Sequence, residues 1–150
     1  MRLEGEFTFH APREAVWEAL LDPAVIAQAI PGAERLDRVD EDRYEGTMKV
    51  GVGPVSGRYE LRVRIEEKEP PERYSMRIDG KGALGHASGT AEVELADEDG
   101  GTRMTYVSDL AIGGRIAGVG QRMLDTVARS MTQRGLESLE REIERRTSGS

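Results

Sequence analysis

Apolar and polar residues alternate over residues 3–10, with Leu3, Gly5, Phe7 and Phe9 set against Glu4, Glu6, Thr8 and His10. A period of two predicts a half-buried strand. Ala11-Pro12 ends it, and Val16, Trp17, Leu20 and Leu21 then recur at helical spacing over 13–21. Asp22-Pro23 closes that helix and opens a second short one. Asp22 caps it, and Pro23 fits its first position, where a backbone N–H has no helical partner anyway. Val25, Ile26 and Ile30 lie along it, and Pro31-Gly32 ends it. Strands are predicted over 33–39, 43–52, 55–67, 73–79, 85–96 and 102–112. Turn residues separate them at Asp40–Asp42, Gly53-Pro54, Glu69–Glu72, Gly80–Leu84 and Asp97–Gly101. After Gly113-Gly114, residues 115–146 read as one helix of about 48 Å at 1.5 Å per residue. Residues 147–150 read as a disordered tail.

The order is strand, two short helices, a run of strands, and a long helix. Short turns between consecutive strands make them antiparallel. The expected class is α+β: a curved antiparallel sheet of about seven strands wrapped around the C-terminal helix. No repeat, low-complexity segment or linker interrupts the chain, so residues 1–146 are expected to form a single domain.

The alternation also assigns the two faces of the sheet. One face carries charges: Arg58, Glu60, Arg62, Arg64, Arg77, His86, Glu92, Glu94, Arg103 and Asp109. The other carries none. It holds Tyr44, Gly46, Met48, Val50 and Val52, then Val55, Gly57, Tyr59, Leu61, Val63 and Ile65. Tyr74, Met76, Ile78, Ala87, Gly89, Ala91, Val93, Leu95, Met104, Tyr106, Ser108 and Leu110 complete it. This inward face is not built like a solid core. Gly46, Gly57, Ala87, Gly89, Ala91 and Ser108 stand where large aliphatic residues would pack. All four tyrosines of the chain fall on it. Glycine in a strand marks either a bend or a space left open, and a buried tyrosine hydroxyl requires a partner. Taken as a set, these positions predict an internal cavity. On the long helix, Ile116, Val119, Gly120, Met123, Val127, Ala128 and Met131 form a stripe that Leu136, Leu139 and Ile143 continue. Most of this stripe reads as ordinary packing against the sheet, with Gly120 and the methionines adaptable to an irregular neighbour.

Composition narrows the chemistry. The 150 residues include no cysteine, which excludes disulfides, thiolate metal sites and cysteine nucleophiles. The two histidines, His10 and His86, read as surface residues. A net charge of −7 argues against nucleic acid as a partner. No apolar run approaches the length needed to span a bilayer. The first ten residues do not look like a secretory signal, so the expected location is cytoplasmic. Gly80-Lys81-Gly82-Ala83-Leu84-Gly85 matches the dinucleotide glycine pattern letter for letter. A strand rather than a helix follows it, which removes the phosphate-binding context. Glu4 and Glu6 read as solvated charges. Asp109 and Ser108 lie where the last strand could meet a cavity mouth. No catalytic or metal-binding set emerges.

Several segments in sequence carry a family resemblance. They are Ala11-Pro12 with Val16-Trp17, Leu20 and Asp22-Pro23; Ile30-Pro31-Gly32; and Val52-Gly53-Pro54-Val55. The small-residue strand from Ala87 to Leu95 follows, then Gly101-Thr102-Arg103-Met104-Thr105-Tyr106. Last come Gly113-Gly114-Arg115-Ile116-Ala117 with Gly120, Arg122 and Met123-Leu124. In order and spacing the chain resembles the SRPBCC, or START-like, superfamily. Within it, the chain is similar to the CoxG family of carbon monoxide dehydrogenase subunits. The resemblance implies a helix-grip fold with a deep hydrophobic cavity between sheet and helix, and an aromatic or lipid-like ligand, quinones among them. It also implies association with a molybdenum hydroxylase of the carbon monoxide dehydrogenase type. It brings no catalytic motif. Longer family members continue past the helix with a segment suited to membrane attachment, whereas this sequence stops at Ser150, so at most weak membrane association is expected.

The expected function is non-catalytic binding of a hydrophobic small molecule, with a bound quinone or lipid as the only cofactor-like occupant. The expected ligand contacts are Tyr44, Met48, Tyr59, Leu61, Tyr74, Met76, Ala87, Gly89, Ala91, Tyr106, Ser108, Gly120, Met123 and Val127. Trp17 is expected to staple the first helix to the core. Two alternatives stand beside this. The chain is an assembly or recruitment partner of a molybdenum enzyme with an incidental cavity, or it is a cyclase- or hydrolase-type enzyme. Monomer and homodimer both remain open.

Overall fold

The computed structural model describes residues 1–51 and 53–148, the side chain of Ser148 apart. The expectations for Val52 and for Gly149-Ser150 lie outside the described residues. The element order is β1 (Arg2–Phe9), α1 (Arg13–Leu21), α2 (Pro23–Ala29), β2 (Ala33–Asp40), β3 (Arg43–Val50), β4 (Gly57–Glu69), β5 (Arg73–Gly82), β6 (Gly85–Glu98), β7 (Gly101–Gly114) and α3 (Gln121–Ser148). The strands form one seven-stranded sheet in the order β1-β7-β6-β5-β4-β3-β2, antiparallel at every junction. Strands β2 to β7 are consecutive hairpin neighbours. The first strand instead crosses the helices and pairs with the last, placing Leu3 opposite Ser108 and Phe7 opposite Met104. This is the α+β architecture expected from the sequence.

Local signals account for the helix boundaries. The α1 backbone begins at Pro12, whose carbonyl accepts the Val16 N–H at 3.1 Å. The Asp22 carboxylate accepts the Ala24 N–H at 2.9 Å, with Pro23 at the first position of α2. A fully buried Thr102 ties the start of β7 to the β1–α1 connection, its hydroxyl donating to the Ala11 carbonyl at 2.8 Å.

Phe9, Val16, Val25 and Ile143 are the largest apolar side chains with essentially no exposure. They lie in one cluster with Trp17, Tyr44, Tyr74, Val93, Leu95, Met104, Leu136 and Leu139. The core therefore sits between the concave face of the sheet, the two short helices and the second half of α3.

Several boundaries differ from the sequence expectation. Residues 115–146 are not one helix. A 3₁₀ turn spans Arg115–Val119, Gly120 follows with φ of 103°, and α3 runs for 28 residues from Gln121. A left-handed backbone at Gly120 cannot continue an α-helix, and only glycine adopts it without strain. Ile116 is consequently buried against the β5–β6 turn, its N–H bonded to the Leu84 carbonyl at 2.9 Å, and is not part of a helical stripe. At its other end α3 continues through residues 147 and 148, where a tail was expected. Strand β3 stops at Val50 and β4 starts at Gly57. Val55 thus lies in a 3₁₀ turn over Gly53–Val55, buried but outside the sheet. The glycine-rich link at 80–84 is shorter than expected, because β5 carries its pairing through Gly82.

Candidate functional site

The concave face, the α2–β2 connection and α3 enclose a pocket of about 480 Å³ that opens to solvent. Its floor comes from strands β3 to β7: Tyr44, Met48, Leu61, Val63, Ile65, Tyr74, Met76, Ile78, Ala91, Val93, Met104, Tyr106, Val107 and Ser108. Leu3 from β1 joins them. One wall is Leu20, Pro23, Ile26, Ala29, Ile30, Pro31 and Leu36, and the other is Met131, Thr132, Gly135, Leu136 and Leu139 of α3. Apart from Val107, the strand alternation aims every second residue at this space. On α3, positions 131, 132, 135, 136 and 139 share one face by helical periodicity. Gly135 brings that face close to the α2–β2 connection. A Cβ built there would stand 3.7 Å from Pro31 Cδ and 3.8 Å from the Ala29 carbonyl oxygen.

The lining is apolar apart from a few hydroxyls. Among the described residues it includes no carboxylate, histidine, lysine or arginine. Two of its hydroxyls are committed to the fold: Tyr44 donates to the Leu21 carbonyl at 2.8 Å and Thr132 to the Ala128 carbonyl at 2.8 Å. The Tyr74 and Tyr106 hydroxyls and that of Ser108 have no hydrogen-bond partner among the described residues. Burial pushes the Tyr74 phenol well above its usual pKa, with a smaller contribution from Tyr44, so it stays a neutral donor at physiological pH. Trp17 supports the Tyr74 ring edge to face. The Tyr106 ring lies over Gly5, its cross-strand partner. A Cβ at Gly5 would fall 2.6 Å from the Tyr106 oxygen, so this glycine makes room for the ring.

Of the residues expected to contact ligand, the structure brings Tyr44, Met48, Leu61, Tyr74, Met76, Ala91, Tyr106 and Ser108 together around the pocket. It places Tyr59, Ala87, Gly89, Gly120, Met123 and Val127 elsewhere. The Tyr59 hydroxyl donates to the Val55 carbonyl at 2.7 Å, its ring resting on Gly82 across the strand pair. Gly89 marks a close backbone approach. A Cβ there would lie 1.8 Å from the Asp109 carbonyl oxygen, so the lack of a side chain at Gly89 accommodates the adjacent β7 backbone. Gly46 behaves the same way beneath the bulged β2, with a Cβ only 2.1 Å from the Arg35 carbonyl oxygen. Ala87 pairs with Gly80 and Ile112 beyond the end of the pocket. Gly120 is the joint before α3. The first turns of that helix overhang the sheet, which leaves Met123 45% exposed and Val127 off the lining.

The α2–β2 wall was not identified as a site from the sequence. Ile26 and Ile30 did read as the apolar stripe of a short helix, which says that they are buried but not against what. Leu136 and Leu139 read as core, and each serves both purposes here. Gly135 had a signal of its own, an isolated glycine inside a helical pattern. Trp17 is buried and packs on the core as expected. Asp109 is exposed, pairs with Arg2 at 3.4 Å, and is not among the residues that line the pocket. Among the described residues, no helix is long and apolar enough to cross a membrane.

The fold recurs in solved structures. A conserved protein from Geobacillus kaustophilus aligns with a TM-score of 0.93 at 27% identity, covering 97% of this chain and 96% of that one. A putative uncharacterized protein from Rhizobium leguminosarum aligns at 0.74 with 19% identity, over 97% and 95% of the two chains. A protein from Thermus thermophilus aligns at 0.70 with 17% identity, over 95% and 97%. Among curated proteins, none matches the sequence. Residues 5–144, the sheet and nearly all of α3, match the model of the CoxG family of carbon monoxide dehydrogenase subunits, and the chain belongs to that family.

Proposed function

We propose that the protein binds one hydrophobic small molecule, of the lipid, aromatic or quinone class, in the pocket between sheet and α3. The observation that carries this reading is the pairing of an apolar lining with two tyrosine hydroxyls, Tyr74 and Tyr106, that have no hydrogen-bond partner among the described residues. A volume of about 480 Å³ falls in the range of small-molecule sites. At about 24 cal/mol per Å³, leaving such a space empty would cost on the order of 10 kcal/mol. That rivals the whole stability of a domain, which favours an occupant or solvent filling. The hydroxyls then orient a ligand carbonyl or hydroxyl, and a lining that holds, among the described residues, no carboxylate, histidine, lysine or arginine favours binding over catalysis. Family membership supports service to a carbon monoxide dehydrogenase-type molybdenum hydroxylase, either as carrier of the ligand or as an assembly partner.

The test is native mass spectrometry of gently purified protein, with organic extraction of what it carries. The expected result is a stoichiometric apolar adduct that Ala91→Phe, which fills the pocket floor, no longer retains. A bare protein whose melting temperature no apolar ligand raises would overturn the binding reading. Co-purification with a molybdenum hydroxylase from the native host tests the partnership.

A further inference from the structure

We infer that a polar recess beside the pocket, presented by Arg134, Ser138 and Arg141 of α3, holds an anionic head group, so that the ligand is an acidic amphiphile whose apolar body fills the pocket. The inference rests on the proposed binding role of the pocket and narrows its ligand to a molecule ending in a carboxylate or phosphate. Residues 27–33, the end of α2 and its connection to β2, bound the recess on its other side. Ala29, Ile30 and Pro31 line both the recess and the pocket. The two linings also adjoin on α3, where Gly135 and Leu136 belong to the pocket and Arg134, Glu137, Ser138 and Arg141 to the recess. One molecule can therefore lie across the shared wall, apolar on one side and charged on the other.

The positive charge of the recess is not neutralised within the fold. Arg134 and Arg141 are two helical turns apart, so they share a face at a spacing of about 10 Å along the axis. Other arginines of α3 are taken: Arg129 by Asp125, Arg145 by Glu142 and Arg146 by Asp22. Arg134 and Arg141 have no carboxylate partner among the described residues, and Arg141 donates to the Ser138 hydroxyl at 3.0 Å. Glu137 is the one carboxylate in the described lining of the recess, and it accepts the Gln133 amide at 2.9 Å rather than pairing with either arginine. Two guanidinium groups against one carboxylate leave the recess net positive in a chain of charge −7. Guanidinium groups grip carboxylate and phosphate oxygens two at a time. The pocket itself is closed to such a head group, because its described lining holds no cation and a charge buried there would go unpaired. Tyr74, 6% exposed and without a hydrogen-bond partner among the described residues, is the independent sign of a ligand on the pocket side.

The experiment is calorimetric titration of the full chain with decanoate, decyl phosphate and decanol, each below its micelle-forming concentration. Wild type is compared with the double variant Arg134→Gln with Arg141→Gln, with Glu137→Gln, and with Arg122→Gln, which removes the same charge elsewhere on α3. Both recess arginines are exposed, so the double variant should melt like wild type. The expected result is that one or both acidic probes bind about tenfold more tightly than decanol, and the stronger of the two identifies the head group. The double variant loses about tenfold in affinity for that probe and nothing for decanol. Glu137→Gln tightens acidic binding, and Arg122→Gln leaves it unchanged. Equal binding of decanol and both acidic probes, or acidic binding unaffected in the double variant, would overturn the head-group site while the pocket reading stands. Failure of all three probes to bind would overturn both.

Discussion

The Trp17 indole meets the Tyr74 ring edge to face, with centroids 5.5 Å apart and planes at 85°. Helix α1 thereby supports Tyr74, which lines the pocket and whose hydroxyl has no hydrogen-bond partner among the described residues. Tyr44 is the contrasting case, its hydroxyl spent on the Leu21 carbonyl. Phenylalanine substitutions should separate the two roles. Tyr44→Phe leaves that carbonyl short of a donor and should cost about 1 kcal/mol in urea denaturation. Tyr74→Phe removes no protein hydrogen bond and should leave stability unchanged or slightly raised. Titration with a naphthoquinone should show the larger loss for Tyr74→Phe, about tenfold for one hydrogen bond. The reverse ranking would remove Tyr74 from the binding role.

Gly89 tests why small residues occupy the sheet. Its Cβ position meets the backbone of Asp109, which cannot yield as a flexible side chain can. Gly89→Ala should therefore destabilise by more than about 2 kcal/mol. Ala91 is two residues along the same strand and lines the pocket, and Ala91→Val should be far milder. Chemical denaturation of both variants checks the contrast; equal costs would mean that Gly89 does not mark a close backbone approach.

These two residues also show what the sequence could and could not disclose. Period-two alternation correctly separated the charged face from the face carrying Tyr44, Leu61, Tyr74 and Tyr106, because side-chain direction in a strand is a local property. Asp22-Pro23 likewise fixed the start of α2 through local capping chemistry. Whether a small residue leaves room for a ligand or for a neighbouring strand depends on sheet curvature. Curvature is set by non-local pairing, so Gly89 and Ala91 looked alike. The helix start was misplaced for a related reason. Residues 115–119 have helical apolar spacing, and only the positive φ at Gly120 reveals the joint. The α2–β2 wall of the pocket was hidden because burial against a pocket and burial against a core leave the same pattern.

Gly135 lies inside α3 with room to spare, since its nearest neighbours to a Cβ, Pro31 and Ala29, stand at ordinary contact distance. Glycine in a helix interior costs up to about 1 kcal/mol relative to alanine. Gly135→Ala should accordingly raise stability by up to about 1 kcal/mol while slightly narrowing the pocket mouth. Thermal melts of the ligand-free protein check the gain. A loss of stability would show that α3 must approach the α2–β2 connection more closely than these distances indicate.

His10 should make stability depend on pH in a definite direction. Its hydrogen bond to Glu140 and then the charge of Glu140 raise its pKa above the ordinary 6.5, opposed in part by desolvation and aided last by the charge of Glu144. A group whose pKa is higher in the folded state binds its proton more tightly there. Its stabilising contribution is therefore complete below pH 6.5 and is lost as pH rises through the raised value. The measurement is the melting temperature of wild type and His10→Gln from about pH 5.5 to about pH 9, in the presence of chelator. The gap between the two proteins should be widest at the acid end and close toward the alkaline end. The contact is exposed, and salt should narrow the acid-side gap further by screening it. A gap that widens with pH would mean that the neutral imidazole is the form held by Glu140.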